Sequence, residues 1–480
     1  MKTYLSRVLC LLLCLALIFS LAACGNKNTS SFNLDDDDSW DIDDGDDVDT
    51  GDDADIDDTT SDGKTGNKKA ADAVADADSL SLAQLVAKMP SKLRGTTIKV
   101  CSWNPVTDVT DADKVVKKFE SQTGIKVKWN QVSYDDYDSK VTSLISAKNS
   151  PDLIRFITPA PSRMYLCQDL KTATGYDFKG AIWDSRVTSS YTYKGKIYAA
   201  NLKDTLNQQV SVLEYRPSQI KRYKFEDPYT LWKNGQWTYD KFKDICRAFK
   251  AEVGHPAWMT SSVLDYLWFN DIDLISFNTK TQKYEQNLAS PKVINGLQEI
   301  IRNRGDISPE AASANDKFED GTYLFYSNNV LTARTTDFHL TELKAKNDLE
   351  AVPFPTQPGK TYYTNFQEFE AYGVPKGANN GPAAYYFMRF YLYPGNYNES
   401  TFFCSTKILE VYKYLMSQTN YNFNVERQIT AAAGNAYGNV NTMVRTGEMT
   451  VDQVKSKLDS VTPFFNKAVN QANALLDKMG

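Results

Sequence analysis

The chain has 480 residues, of which 54 are Lys or Arg, 60 are Asp or Glu and only two are His, so its formal net charge is −6. Residues 1–94 hold 9 of the basic and 19 of the acidic residues, which leaves 45 basic and 41 acidic residues in residues 95–480. A body this close to neutral gives no support to a nucleic-acid partner, which requires concentrated basic residues. Its length suffices for two lobes of ordinary domain size.

The first residues have the layout of a secretory signal. Lys2 and Arg7 precede an apolar run from Val8 to Leu21. This run is shorter than the ~20 residues of a membrane-spanning helix, and the chain that follows it is polar. We therefore predict a cleaved signal peptide at residues 1–23.

The end of this signal predicts how the protein is held at the cell. Its sequence Leu21-Ala22-Ala23-Cys24-Gly25 resembles a lipobox. The resemblance implies a diacylglyceryl group on the Cys24 thiol, cleavage just before it, and anchoring on the extracellular face of the bacterial cell membrane. The alternative is an ordinary cleaved signal with an incidental cysteine, but the two small residues directly before Cys24 favour lipidation.

An acidic segment follows the lipobox. Residues 35–62 contain 16 Asp and no basic residue. Like charges at this density repel one another and extend the chain, and too few apolar residues are present to form a core. We predict that residues 24–94 form an acidic disordered spacer followed, from residue 64, by a short amphipathic lead-in. The apolar residues of the lead-in are Leu80, Leu82, Leu85 and Val86.

The alternative interpretation of the acidic segment is that its aspartates bind calcium. An EF-hand loop needs oxygen ligands at its positions 1, 3 and 5, Gly at position 6 and Glu at position 12. Asp58, Thr60, Asp62 and Gly63 come nearest to this pattern, but position 12 is Lys69. We predict no metal site.

Four cysteines remain after the lipobox: Cys101, Cys167, Cys246 and Cys404. They are spread singly, so the CxxC spacing of a zinc site is absent. Their positions within strand and helix patterns favour buried free thiols, although an exported protein can oxidise its cysteines and the sequence does not pair them.

The body begins with alternating strand and helix patterns. The predicted elements are a strand at Thr96–Trp103, a helix at Asp111–Thr123, a strand at Ile125–Trp129, a helix at Asp135–Lys148 and a strand at Pro151–Phe156. Strands of β-branched residues that alternate with helices predict an α/β fold, in which helices cover a parallel sheet.

A series of short motifs resembles the extracellular solute-binding proteins of family 1, which include maltodextrin-binding proteins. The motifs are Phe119-Glu120-Ser121-Gln122-Thr123-Gly124-Ile125-Lys126-Val127, Pro151-Asp152-Leu153, Gly195-Lys196-Ile197-Tyr198-Ala199, Trp237-Thr238-Tyr239-Asp240-Lys241-Phe242, Val352-Pro353-Phe354-Pro355 and Gly373-Val374-Pro375-Lys376-Gly377. Each motif is weak alone, but together they follow the family's order over about residues 96–400. Glu214-Tyr215-Arg216 departs from the family's usual Tyr-Asn-Lys, which affects ligand details rather than the fold.

This resemblance implies a two-lobe periplasmic-binding-protein-like fold of type II, with parallel-rich sheets, helices on both faces and a ligand cleft between the lobes. The chain would cross between lobes near residues 199–207, 323–330 and 370–378. Lobe 1 is then expected at residues 95–200 with 328–372, and lobe 2 at residues 201–327 with 373–480. Closure about the hinge would bury the ligand.

Sugar sites combine aromatic rings with side chains that donate or accept pairs of hydrogen bonds. The ligand-binding candidates near the expected cleft are Trp103, Asn104, Asp152, Asn201, Lys203, Trp268, Asn328, Arg334 and Glu368. Alternative roles remain open: core packing for Trp103 and Trp268, a turn or helix cap for Asp152, and solvent exposure for Asn201 and Lys203.

The resemblance implies a monomer that captures a small polar solute, such as a sugar or oligosaccharide, and delivers it to the permease subunits of an ABC importer without a cofactor. A sensor or adhesin that uses the same cleft is an alternative. A carbohydrate-active enzyme is a further one, since a glycosidase needs only two facing carboxylates. The body has only His255 and His339, and it lacks the HExxH, GxSxG and P-loop patterns, so we predict no catalytic residue.

Overall fold

The computed structural model describes residues 76–103, 111–134, 136–260, 262–307, 314–356, 363–423 and 425–479. The predicted signal peptide, Cys24, the acidic spacer and Asn104 lie outside these ranges.

The described strands include the three that the sequence predicts at the start of the body. They are β1 Thr97–Ser102, β2 Lys126–Gln131, β3 Leu153–Phe156, β4 Thr192–Tyr193, β5 Lys196–Ile197, β6 Gln209–Tyr215, β7 Trp258–Thr260, β8 Ile275–Asn278, β9 Lys283–Gln286, β10 Phe325–Asn329, β11 Glu350–Val352, β12 Thr364–Glu368, β13 Ala371–Gly373 and β14 Tyr421–Phe423.

The described α-helices cover the faces of the sheets. They are α1 Leu82–Ala87, α2 Ala112–Thr123, α3 Tyr137–Ser146, α4 Pro161–Tyr165, α5 Leu170–Thr174, α6 Ser185–Ser190, α7 Pro217–Arg222, α8 Pro228–Lys233, α9 Tyr239–Val253, α10 Asp265–Phe269, α11 Pro291–Ile307, α12 Ala314–Glu319, α13 Thr341–Ala345, α14 Gly381–Tyr391, α15 Glu399–Phe402, α16 Thr406–Ser417, α17 Val425–Gln428, α18 Ala431–Thr446 and α19 Val454–Met479.

The first sheet has the strand order β13-β3-β1-β2. Strand β1 pairs in parallel with both β2 and β3, whereas β13 joins β3 in the antiparallel direction. Helix α2 carries the chain from β1 to β2 with Phe119 fully buried, and it ends at Gly124, whose φ of 71° suits a residue without a side chain. Helix α3 then leads to β3, so the predicted β-α-β-α-β unit is confirmed.

The second sheet is mixed. Its strand order is β14-β12-β6-β10-β7, and β11 pairs with the carboxyl-terminal part of β6. Strand β6 is antiparallel to β10, β11 and β12, while β10 is parallel to β7. We call the part of the chain around the first sheet the first lobe, and the part around the second sheet the second lobe.

The strand pairing differs from the predicted lobe boundaries. Strands β10, β11 and β12 all belong to the second sheet, so residues 328–368 are not part of lobe 1 and residues 323–330 are not a crossing. The chain instead crosses where Ala200 bridges to Tyr372 ahead of β6, and again between β12 and β13.

A third crossing lies beyond the predicted hinges. Helix α14, predicted in lobe 2, packs on the first sheet's helix α2, with the rings of Phe387 and Phe119 5.3 Å apart. Helix α16 packs on β11 of the second sheet, so the chain crosses between these two helices. The reason is that apolar faces of helices are buried wherever a complementary surface exists, which local sequence patterns do not specify.

The long helix α19 also links the two halves. It contacts β9 and α11 of the second lobe and α4 of the first lobe. Nearby, the Tyr284 hydroxyl donates to the Pro159 carbonyl oxygen at 3.4 Å. Among the described helices, each is too short or too polar to cross a bilayer.

The four cysteines of the body are free thiols. Cys101, Cys167 and Cys246 are buried, and Cys404 is half-buried. Burial raises the pKa of Cys101 and of Cys404 to about 12, so these thiols stay protonated at neutral pH.

Candidate functional site

An aromatic surface lies at the carboxyl end of β1. Trp103 follows this strand directly and is half-buried, and its ring meets Tyr137 edge to face at 4.8 Å. Tyr134 packs against the same indole at 5.6 Å and is 53% exposed. We call Trp103 and Tyr134 the aromatic pair. Because crevices at the carboxyl ends of parallel strands receive ligands in open α/β sheets, this pair is placed to contact one.

A buried ion pair lies next to the aromatic pair. The Arg155 guanidinium on β3 stands 4.7 Å over the Trp103 ring. Its Nε and Nη2 atoms donate to the two carboxylate oxygens of Glu370 at 2.7 and 2.6 Å. Both side chains are almost fully buried, and Glu370 lies in the segment that crosses from β12 to β13. This bidentate pair therefore fixes a crossing segment to the first sheet.

Amide side chains extend this network toward the second sheet. Gln209, the first residue of β6, donates from Nε2 to Glu370 Oε1 at 3.0 Å and also to the Glu368 carboxylate. Gln208 exchanges hydrogen bonds with the Glu370 backbone at 3.0 Å in both directions. Asn201 donates to the Glu370 carbonyl oxygen at 2.9 Å. The set Arg155, Asn201, Gln208, Gln209, Glu368 and Glu370 is called the hinge cluster below.

Three of the predicted residues, Trp103, Asn201 and Glu368, therefore lie in or beside the hinge cluster. Asn201 is fully buried, and its Nδ2 donates to Asn207 Oδ1 at 3.1 Å and to the Glu370 carbonyl oxygen at 2.9 Å, so it is placed to support the hinge. Trp103 and Glu368 are half-buried and retain accessible surface.

Sequence reasoning missed the central ion pair of this site. One sequence feature could have indicated this ion pair: a charged residue, Arg155, lies inside the otherwise apolar strand Leu153–Phe156. A charge in such a strand requires a buried partner, but the partner is 215 positions away and cannot be identified from local patterns.

Asp152 has a structural role at the opposite end of β3. Its Oδ1 accepts the backbone N–H groups of Asn379 and Asn380 at 3.0 and 2.8 Å, and its Oδ2 accepts that of Lys99 at 2.9 Å. The residue is buried at the amino end of the strand, away from the carboxyl end that carries Trp103. Because backbone donors occupy both carboxylate oxygens, the structure favours the alternative role of Asp152 in a turn or cap over ligand contact.

Trp268 belongs to the core of the second lobe. It is 1% exposed, stacks on Tyr437 at 5.7 Å and donates from Nε1 to Glu426 at 3.1 Å. Its position in α10, which packs against α11, therefore favours the alternative role in core packing over ligand contact.

The remaining candidates lie apart from the hinge cluster or outside the described residues. Lys203 is exposed and lines a cavity of about 960 Å³ with Arg186, Tyr412 and other residues. Asn328 donates to the buried Glu214 carboxylate at 3.1 Å. Arg334 donates to the Leu331 carbonyl oxygen at 3.2 Å within its own loop. Asn104 is not among the described residues.

The chemistry of the site is that of binding. Flat aromatic surface, amide groups and a partly accessible carboxylate can contact the apolar faces and hydroxyl groups of a polar solute. In the described residues, no group of three or more His, Cys, Asp and Glu side chains is arranged to hold a metal ion.

Two sheets joined by crossing segments, with this cluster at the junction, define a two-lobe binding protein. The chain belongs to the bacterial extracellular solute-binding proteins, whose family model matches residues 114–401. A comparison with curated proteins found no significant match.

Solved structures share this fold. The GacH receptor of Streptomyces glaucescens, solved unliganded and with acarbose, is 13% identical, with a TM-score of 0.56 over 78% of this chain and 98% of that one. The cyclic α-maltosyl-1,6-maltose-binding protein of Arthrobacter globiformis is 15% identical, with a TM-score of 0.57 over 80% and 99%. A cyclo/maltodextrin-binding protein solved with maltotetraose is 15% identical, with a TM-score of 0.57 over 77% of this chain and 97% of that one.

Proposed function

We propose that this solute-binding protein captures an oligosaccharide or smaller sugar at the aromatic pair and delivers it to the permease subunits of an ABC importer. The observation that carries the proposal is the exposed Tyr134 beside the half-buried Trp103, whose ring lies against Arg155 of the hinge cluster. Two neighbouring aromatic rings with accessible surface offer the flat apolar area on which the face of a sugar ring can pack. The similar folds described above include proteins solved with acarbose and with maltotetraose.

The hinge cluster supports a closing motion. Its hydrogen bonds join the first crossing, at Asn201 and Gln208, to the second crossing, at Glu370. Rigid lobes connected by such short segments move as bodies about them, and a ligand that contacts both lobes favours the closed form. The sugar would lie against the first lobe's aromatic pair and be covered by the second lobe.

We also propose that the protein acts as a monomer on the outer face of the cell membrane, held by a lipid on Cys24. Two acyl chains suffice for stable anchoring, since each buried CH₂ contributes ~0.8 kcal/mol. The lipobox-like sequence supports this part of the proposal.

The experiment is a thermal-shift screen of the protein against maltotetraose, acarbose, other gluco-oligosaccharides, monosaccharides, amino acids and small peptides. A ligand that binds only the folded state, at 100 times its Kd, raises the free energy of unfolding by ~2.7 kcal/mol. Stabilisation by one glycan series, with the glycan recovered unchanged after long incubation, supports sugar capture.

Two outcomes would contradict the proposal. Stabilisation by amino acids or peptides alone would reject a sugar ligand. Breakdown of a glycan during incubation would favour the carbohydrate-active enzyme. Import and sensing are separated by uptake of the labelled glycan in cells with and without the gene for this protein, since only an importer component is needed for uptake.

A further inference from the structure

Residues 77–93 are docked on the body by specific contacts with residues outside the aromatic pair and the hinge cluster. They comprise a 3-10 helix at Ala77–Ser79, helix α1 and a 3-10 helix at Ser91–Leu93. Apolar side chains of the segment are buried against the body: Ala77, Leu85, Met89 and Leu93. We call residues 77–93 the clasp.

Asp78 is the main polar contact of the clasp. Its Oδ2 accepts the indole N–H of Trp183 at 2.9 Å and the backbone N–H of Gly180 at 3.2 Å. Its Oδ1 accepts the Tyr385 hydroxyl at 2.7 Å, and the Arg389 guanidinium lies 3.8 Å away. A carboxylate with this many donors is held in one geometry.

Arg389 holds the clasp backbone. This buried side chain donates from Nη1 to the Ala77 carbonyl oxygen and from Nη2 to the Leu80 carbonyl oxygen, both at 2.8 Å. Its Nη1 also donates to the Tyr385 hydroxyl at 2.9 Å. The guanidinium therefore binds two backbone carbonyl oxygens of the clasp, and that of Ala77 also accepts the Leu80 N–H at 3.2 Å.

Gly180 fits closely beneath Asp78. A Cβ atom on Gly180 would lie 2.6 Å from both Cβ and Oδ2 of Asp78. Real Cβ atoms do not come so close to other atoms, so the absence of a side chain at residue 180 is a requirement of the docked clasp.

All of these polar partners belong to one lobe. Trp183 precedes α6 and its backbone bridges to Leu202, ahead of the first crossing. Tyr385 and Arg389 lie on α14, which packs on α2 and α5 of the first lobe. The chain that leads to the predicted spacer therefore reaches the body through the first lobe.

We propose that the clasp fixes the N-terminal tether to the first lobe alone, so that the second lobe moves during closure without pulling on the tether. The first lobe then stays attached to the N-terminal tether in both the open and the closed form. Hinge motion changes only the position of the second lobe. This inference rests on the lobe closure and the membrane anchor proposed above, and it holds for any solute that the cleft takes.

The test is hydrogen–deuterium exchange of the full chain, in the wild type, Asp78→Ala and the control Lys88→Ala, whose side chain is exposed on the same segment. In the wild type and the control, we expect the amides of residues 82–89 to be protected. In Asp78→Ala, we expect them to exchange at least ~10-fold faster, because the docked state is a local equilibrium that loses its main polar contacts.

The change in Asp78→Ala should extend to residues 178–183 and α14 but leave β6 and β10 as they are in the wild type. Gly180→Ala is the second variant, which displaces Asp78 while retaining its carboxylate, and we expect the same pattern. An unprotected clasp in the wild type would overturn the proposal, and so would faster exchange in β6 and β10 in both variants.

Discussion

At the scale of single residues, the proposed solute site depends on an aromatic ring whose surroundings hold it in place. Trp103 is fixed by Tyr137 on one side and by the Arg155 guanidinium on its face, with Tyr134 at its outer edge. A ring that is already ordered loses little conformational entropy when a ligand packs on it. If the solute packs on Trp103 as proposed, this ring should contribute strongly to affinity for one side chain.

We expect Trp103→Ala to weaken sugar binding by about 2 kcal/mol, which is roughly a 30-fold rise in Kd. Isothermal titration with the glycan found in the thermal-shift screen measures this change. The control is Trp232→Ala, which removes another half-buried indole, packed against Tyr229 and Tyr414 in the second lobe. Equal Kd values for the two variants would exclude Trp103 from the site.

Glu214 gives the second lobe a dependence on pH. This carboxyl is fully buried in β6 and accepts the Thr332 hydroxyl at 2.7 Å. Burial raises its pKa from the usual 4.5 to about 7, although the hydrogen bonds from Thr332 and Asn328 act in the opposite direction.

Because the folded-state pKa of Glu214 exceeds the unfolded one, the folded chain keeps a proton that the unfolded chain releases. The free energy of unfolding should therefore fall as pH rises from about 4.5 to 7, by up to ~3 kcal/mol, and lose no more from this group above that range. Glu214→Gln should remove this part of the pH dependence in urea unfolding at pH 5, 6, 7 and 8. The exposed Glu342→Gln should retain the wild-type slope, and an unchanged slope in Glu214→Gln would contradict the assignment.

At the scale of elements, helix α14 shows how close packing sets a position in the fold. It begins at Gly381, where a Cβ atom would lie 2.2 Å from the Ala173 carbonyl oxygen at the end of α5. Helices approach this closely only where one of them presents a glycine. The contact places α14 on the first lobe and so positions Tyr385 and Arg389 for the clasp.

We expect Gly381→Ala to destabilise the protein by about 1–3 kcal/mol, because the backbone of α5 must shift to relieve the overlap. Gly438→Ala is the matched change within helix α18, where a Cβ atom meets nothing within 4 Å. It should stabilise the protein by about 0.5–1 kcal/mol through helix propensity. Denaturant unfolding of both variants measures the difference, and effects of the same sign would contradict the packing argument.

At the scale of the whole molecule, the proposed lipid and the clasp would attach different parts of the chain. The lipid would hold the chain at the membrane, and the clasp would connect the spacer to one lobe. The nearly neutral body, with 45 basic and 41 acidic residues in residues 95–480, contributes little electrostatic attraction to anionic lipids.

We expect Cys24→Ser to move the exported protein from the membrane fraction to the culture medium or periplasm, since the residue that carries the acyl chains is lost. Immunoblots of cell fractions measure the distribution. Cys404→Ser, which changes a half-buried thiol of the body, should leave the protein in the membrane fraction. Retention of Cys24→Ser at the membrane would reject the lipid anchor.

Local sequence patterns were enough to predict strands β1 to β3 and the two helices between them, because each of these elements was set by nearby residues. Val115, Val116 and Phe119 recur at the spacing of one helical turn, and Gly124 ends that helix with a positive φ. Ordered motifs over residues 96–400 then identified the family, and the family model matches residues 114–401.

Only the tertiary structure decided which lobe each later strand joins and which polar residues meet. Strands β10 to β12 pair with β6 across more than 100 residues, and Arg155 meets Glu370 across 215. Side chains of one type, such as Trp103 and Trp268, were separated into surface and core by packing partners from distant segments. The physical reason is that burial and ion pairing depend on what lies opposite a residue in space, whereas periodicity and caps depend on its neighbours in the chain.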